Sequence, residues 1–299
     1  MNYIITGGAG HISKPLALQL LKAGHSVTVI GRNENNLAEL AAAGAKTAVG
    51  SVSDVQFLTT AFAGADGVYL MFPPDFSAVK NLYDYFDAIA TNYATAIKTN
   101  AVKQAVVLSS MGAHLPEGAG PVSGLYHAET ILKTLTETNI LFLRPAYFYY
   151  NLLGSVGLVK QAGIIGSNFD LPAGKFPIAD TTDIAAAAAS QLLHPTFTGH
   201  AVQYVVSAET GTGEIAAAIG AAIGKPDLQW VQFTNEQLAD ALLQAGLPAI
   251  MAQGYVDLGN VLQAGSMTED YYRHPSVATD NVQPADFAKV FAAVYNANQ

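Results

Sequence analysis

Residues 2–6 form a short apolar run that breaks into Gly7-Gly8-Ala9-Gly10-His11-Ile12-Ser13, and residues 14–23 then carry apolar side chains at helical spacing. No other feature restricts the fold so strongly. A strand that passes through a glycine turn into a helix leaves the free N–H groups of the helix start facing outward, at the positive end of the helix dipole. Such a place suits a phosphate-type anion. Gly7 permits the tight turn, and Gly10, which has no β-carbon, permits close approach of a pyrophosphate. The spacing Gly7-x-x-Gly10-x-x-Ser13 is that of a dinucleotide fingerprint with Ser in the last small position. Ser13 is expected to cap the helix or to meet a phosphate oxygen, with Pro15 in the first helical turn. Gly7, Gly10, His11 and Ile12 are the first cofactor-contact candidates.

The rest of the first half fits that reading. Apolar strand patterns at residues 25–30, 45–49, 67–72, 104–109 and 140–143 alternate with helical patterns at residues 34–43, 54–63, 78–99 and 126–138. Strands that are apolar on both faces, each separated by a helix, predict a parallel sheet covered on both sides with right-handed crossovers. This is a Rossmann-type doubly wound α/β fold. After Arg144-Pro145 the alternation loosens into helices at residues 184–193, 214–223, 235–245, 248–264 and 284–295, with strands at 201–206 and 228–233. We therefore expect residues 1–150 to form the NAD(P)-binding domain. Residues 151–299 are expected to form a smaller α/β substrate or cap region, interleaved with the first at the sheet's carboxyl edge.

Composition narrows the function. The 299 residues carry a formal net charge of −9 from 14 basic and 23 acidic residues, without a basic cluster, so nucleic-acid binding is not expected. No apolar run approaches the roughly 20 residues of a membrane span, and the start lacks the basic and long apolar segments of a signal peptide. A cytoplasmic protein without membrane association is the expectation. With no cysteine, thiolate chemistry and disulfides are ruled out, and the seven histidines show no metal-ligand spacing. Asp84 and Asp87 are read as a solvated helix face.

Cofactor choice is set at the end of the second strand, which reads Gly31-Arg32-Asn33. Arg32 offers a planar cationic fork suited to a 2′-phosphate, and no carboxylate stands there to hold ribose hydroxyls. NADP(H) is favoured over NAD(H). Glu34 is assigned to the first turn of the next helix.

Several spaced segments together resemble the NmrA-like branch of the atypical short-chain dehydrogenases. They are TGGAG at 6–10, Gly31-Arg32, Gly50-Ser51-Val52-Ser53-Asp54, VVLSS at 106–110, His127 with Glu129, LRPAYFYYN at 143–151, DTTDIA at 180–185 and NVQPADFAKVF at 281–291. The resemblance implies NADPH-dependent reduction of quinones or triphenylmethane dyes, adenine contact near Val52, and leaves a homodimer open. Two departures matter. Ser51 stands where relatives tend to have an acid, and Tyr126 is followed four residues later by Thr130, so the Tyr-x-x-x-Lys pair of ordinary short-chain dehydrogenases is missing. That pair lowers the tyrosine's pKa for proton transfer, so its absence speaks against alcohol oxidation and sugar epimerisation.

A quinone or a triarylmethyl cation needs little proton help. The expected function is hydride transfer from NADPH to quinones or similar planar conjugated acceptors; the alternative is a non-catalytic NADP(H)-binding regulator that senses redox state and acts through a protein partner. Strand carboxyl ends supply the walls of an acceptor slot. Phe72, Pro73 and Ser109 are candidate cofactor contacts beside Arg32 and Val52, whereas Met111, Tyr147 and Phe148 are candidate substrate contacts. Pro74, Ser110, Tyr149 and Tyr150 belong to the same three segments. Tyr126 and His127 are the candidate proton donors, Glu129 either orients a partner or, as the favoured reading, lies on a solvated face, and residues 115–124 are a loop that either lies on the surface or closes as a lid.

Overall fold

Short runs of β-branched and aromatic residues become strands, and the intervening amphipathic runs become the helices that cover them. In the computed structural model, which describes residues 1–73, 80–274 and 281–297, the first half contains β1 (Asn2–Ile5), α1 (Ser13–Lys22), β2 (Ser26–Gly31), α2 (Glu34–Ala42), β3 (Lys46–Val49), α3 (Val55–Ala61), β4 (Gly67–Leu70), α4 (Leu82–Thr99), β5 (Gln104–Leu108), α5 (Pro121–Leu132) and β6 (Asn139–Pro145). The second half contains β7 (Tyr147–Phe148), a 3₁₀ helix (Tyr149–Ser155), α6 (Val156–Ala162), β8 (Ile165–Ser167), β9 (Phe176–Ala179), α7 (Thr181–Leu193) and β10 (His200–Val205). It continues with β11 (Ala208–Thr210), α8 (Thr212–Ala222), β12 (Trp230–Gln232), α9 (Asn235–Gln244), α10 (Ala249–Gln263), α11 (Glu269–Arg273) and α12 (Pro284–Ala297).

Seven parallel strands form the main sheet in the order β10-β6-β5-β4-β1-β2-β3. The chain steps outward from β1 in both directions, so the topological switch point lies between β1 and β4. Ligands of open α/β sheets bind at that crevice, and the glycine turn follows β1 directly. One face of the sheet packs Leu16, Leu20, Val29, Ile184 and Leu192; the other packs Leu58, Phe62, Ile89, Tyr93 and Leu132, all at most 1% exposed. Each such leucine or isoleucine contributes about 1.5–3 kcal/mol by leaving water. The seventh strand comes from the second half, because β10 pairs with β6 from His200–Ile140 to Val205–Pro145. Two small sheets, β11-β9-β7 and β12-β8, carry the rest of the second half.

Two expectations are corrected. The helix expected at 126–138 starts at Pro121 and ends at Leu132, because Pro at the first helical position favours that start. Residues 115–124 are therefore not a free lid. Gly120, at φ +54°, is seated so close to α10 that an added β-carbon would lie 2.1 Å from the Gly254 carbonyl oxygen, and Ser123 Oγ accepts the Ala119 N–H. Residue 78, the expected start of α4, lies outside the described residues, and α4 is seen from Leu82, capped by the Asn81 side chain.

Candidate cofactor and acceptor site

The end of β1 is tied to the end of β4 before the turn begins. Thr6 donates through both its N–H and its hydroxyl to the Tyr69 carbonyl, and its Oγ1 accepts the Met71 N–H at 2.9 Å. Gly7 then takes φ +83° and Gly8 φ +42°, which only glycine adopts without strain. A β-carbon on Gly7 would also lie 2.6 Å from Met71 Cγ and 2.8 Å from Ser13 Oγ. Ser13 neither caps α1 nor faces a phosphate. It is buried and donates to the Thr6 carbonyl at 2.8 Å, fastening the helix start to the strand end across the turn. A third glycine would allow this close packing but would omit the fastening.

The turn forms one wall of a cleft of about 460 Å³. Arg32, Asn33 and Asn36 line it after β2, Ser51, Val52 and Ser53 after β3, Met71 and Pro73 after β4, and Tyr85 from α4. Among the described lining residues there is no carboxylate. Asp54, the last residue of the Gly50–Asp54 motif, spends its carboxylate capping α3 through the N–H groups of Gln56 and Phe57. Glu34 opens α2 and is exposed. A nicotinamide dinucleotide suits this cradle: a β-carbon on Gly10 would stand 3.1 Å from the Gly7 carbonyl, a tight contact that glycine avoids while leaving the helix start bare. Gly7, Gly10, Arg32, Val52 and Pro73 of the sequence candidates line the cleft together. Neither Ile12 nor His11 is among the lining residues: Ile12 is buried at the start of α1, and exposed His11 has its ring 4.0 Å from that of Tyr150.

Phe72 is a correction. Alternation along the strand end turns Met71 and Pro73 to the cleft and Phe72 to the other side, where its ring packs 5.5 Å from Phe86 and 5.7 Å from Tyr93. Pro74 lies outside the described residues. The sequence reading missed three residues of α4. The Tyr93 hydroxyl donates to the Met71 carbonyl at 2.6 Å, that of Tyr85 donates to the Pro73 carbonyl, and Asn92 Nδ2 donates to the carbonyls of Val52 and Ser53 at 3.2 and 3.0 Å. Their i, i+7, i+8 spacing marks one helix face and was a usable signal.

The acceptor side departs further from expectation. Ser109, 3% exposed, donates to Glu129 Oε1 at 2.6 Å and so turns away from the cleft. Met111 is drawn into the core, 1% exposed, because its N–H continues the β5–β6 pairing onto the Pro145 carbonyl. Glu129 is no surface residue. It falls on the buried stripe of α5 with Val122 and Leu132 and accepts from Arg144 at 2.9 and 2.8 Å and from Lys133 at 3.0 Å. Arg144 also reaches Asp270 at 3.0 Å and the Ala113 carbonyl at 3.3 Å. Burial alone would lower the Arg144 pKa, but the Glu129 carboxylate more than offsets it and holds the guanidinium above its ordinary value. Asp270 is pulled below the usual carboxylate range, the hydrogen bond from Tyr204 and the charges of His274 and Arg144 outweighing its burial.

The aromatic run after β6 divides. Tyr149 is core, stacked 4.9 Å from Phe287, whereas Tyr150 is 44% exposed. Tyr147 and Phe148 are half-buried; Tyr147 packs against Phe169 and Phe176, and burial raises the pKa of its hydroxyl well above 10. Tyr126 and His127 are half-buried on α5, and neither lines the cleft. His127 stacks on Tyr83 at 4.7 Å with Nδ1 3.5 Å from Asp87, so α4 holds it, and Asp87 is not the fully solvated residue expected.

Comparison with known proteins places these features in a wider setting. Residues 7–165 match the family model described as NAD(P)H-binding. The sequence is 27% identical to the NAD(P)H azoreductase of Xenophilus azovorans, over 98% of this chain and 99% of that protein. In fold it is similar to an NADPH-dependent quinone oxidoreductase of Escherichia coli solved with NADPH, with a TM-score of 0.79 at 20% identity over 99% of this chain and 100% of the other. It is equally similar to a triphenylmethane reductase of Citrobacter sp., with a TM-score of 0.79 at 18% identity over 98% and 99% of the two chains. These likenesses bear out the resemblance read from the motifs and the doubly wound α/β fold. Among the described residues, no helix is long and apolar enough to cross a membrane.

Proposed function

The chain belongs to the NAD(P)H-binding family, and on that premise we propose that it is a cytoplasmic NADPH-dependent reductase that passes hydride to quinones, azo compounds or similar planar conjugated acceptors. The observation that carries this reading is the cleft at the switch point, with a bare glycine turn, Arg32 after β2 and no carboxylate among its described lining residues. Full-length similarity to an azoreductase supports the oxidoreductase class and the planar acceptor.

When bound, the nicotinamide supplies the hydride. The chain's own contribution is to bind, orient and exclude water. Main-chain N–H groups of the turn would hold the pyrophosphate at the start of α1. Arg32 would hold the 2′-phosphate, a group that NADH lacks. Half-buried Tyr147 and Phe148 leave apolar ring surface at the sheet's carboxyl edge for a flat acceptor, where correct placement is the main catalytic requirement. Tyr126 and His127, the two donor candidates, stand outside the described lining of the cleft, and the reduced acceptor can take its proton from water. The alternative of a redox-sensing regulator draws no support from relatives that are named as enzymes.

The test is NADPH oxidation by purified protein against a panel of quinones, an azo dye and a triarylmethane dye, repeated with NADH. Acceptor-dependent, saturable oxidation with NADPH preferred is the expected result. Tight NADPH binding without turnover across the panel refutes the reductase.

A further inference from the structure

We propose that Tyr85 is the adenine-stacking residue of the cofactor cleft, and that α4 builds both walls of the adenine slot. The inference rests on the cofactor reading above. If the pyrophosphate lies on the glycine turn and the 2′-phosphate at Arg32, the base, attached to the same ribose, must lie against lining residues that serve neither phosphate. The lining beyond the turn and the end of β2 comes from the ends of β3 and β4 and from α4, with Val52, Pro73 and Tyr85 among its members. Among the described lining residues Tyr85 is the one aromatic ring. A purine stacks on such a ring whatever its hydrogen-bonding edge.

The ring is set before any ligand arrives. Its hydroxyl is held by the Pro73 carbonyl, and its edge meets Phe86 at 5.6 Å and 86°. Those contacts fix the side chain, while half-burial leaves part of it to the cleft. Val52, also in the lining, is held from the same helix by Asn92, two helical turns further along α4, which donates to the carbonyls of Val52 and Ser53. One rigid helix therefore fixes the separation between Val52 and Tyr85. A preset slot binds a planar base without the cost of ordering a loose side chain.

The experiment measures equilibrium binding of NADPH and of 2′-phospho-ADP-ribose, which lacks the nicotinamide, to the full chain by calorimetry. Stacking on one ring corresponds to roughly 5- to 150-fold in affinity. Tyr85→Leu should weaken both ligands by the same factor in that range, and Tyr85→Phe, which keeps the ring, should restore affinity to within about fivefold, the loss of one neutral hydrogen bond. Tyr85→Trp places an indole in a chain whose only other tryptophan is Trp230, and 2′-phospho-ADP-ribose should quench it. A Leu variant that binds both ligands as tightly as wild type, a loss seen with NADPH alone, or an unquenched indole each overturns the role of Tyr85 while leaving the cofactor reading in place. A wild-type chain that binds neither ligand overturns both.

Discussion

Residues 2–145 and residues 147–297 are built by different means. In the first region, strands buried on both faces alternate with helices, and main-chain ladders in register from β1 to β6 do most of the specifying. In the second, apart from the six-residue β10 that joins the main sheet, strands of two to four residues are braced by side chains reaching main chain. Asn168 donates to the Val256 carbonyl, Trp230 Nε1 to that of Phe169, and Thr212 bridges to Leu171 in both directions. Aromatic contacts join Tyr147, Phe169, Phe176 and Trp230 into one chain. Periodicity specifies the first kind of structure, and individual hydrogen bonds specify the second.

The junction is where this contrast is most open to attack. Arg144 touches α5, the loop after β5 and α11, so Arg144→Ala takes from buried Glu129 its buried cationic partner, leaving it the half-exposed Lys133 and the Ser109 hydroxyl, and should cost about 3–5 kcal/mol in urea unfolding. A loss nearer 1 kcal/mol would mean that the second region is only loosely attached. Within the first region, Arg32→Ala should weaken NADPH by about 1.5–3 kcal/mol, the range for a hydrogen bond to a charged group, and leave NADH unchanged. Equal losses for the two cofactors remove the basis for preferring NADPH.

Within the second region, Asn168→Ala should cost about 1–3 kcal/mol as the Val256 carbonyl loses its donor. Hydrogen exchange should speed in α9 and α10, with the amides of β1, β4 and β5 and the affinity for NADPH unchanged. If the main sheet loosens too, the two regions are not separately specified. The smallest effect is expected from Tyr126→Phe, with kcat for a quinone within about threefold of wild type. A 100-fold loss, typical of a removed general acid, would restore Tyr126 to the chemistry.

What could be read from the sequence follows the same division. Alternating apolar strands and the fingerprint spacing sufficed for the sheet, the turn and the cleft residue Arg32, because these are periodic or local signals, whereas Val52 came from the family resemblance. Glu129 was misplaced because a carboxylate on a buried stripe becomes sensible only once Arg144, 15 residues away, is known to face it. Ser109 was misassigned for the same reason, since its partner is that carboxylate. Phe72 was assigned to the cleft although strand alternation already pointed Met71 and Pro73 there. β7, β8, β9 and β11 carry too few residues to show a period of two, and Asn168 reaches its partners only because Gly259 leaves room, a β-carbon there falling 1.7 Å from Asn168 Oδ1.

The pairing of β10 with β6 also has a consequence during synthesis. When Pro145 has been made, β6 can join β5, but its other edge has no strand to meet until residues 200–205 emerge from the ribosome. At roughly 5–20 residues per second, the intervening chain leaves that edge open for several seconds in the nascent protein. Unpaired N–H and C=O groups on an apolar strand template pairing with other chains. Release of a chain truncated near residue 150 would make that transient exposure permanent, so the nucleotide-binding half is the part of this protein least suited to life as a fragment.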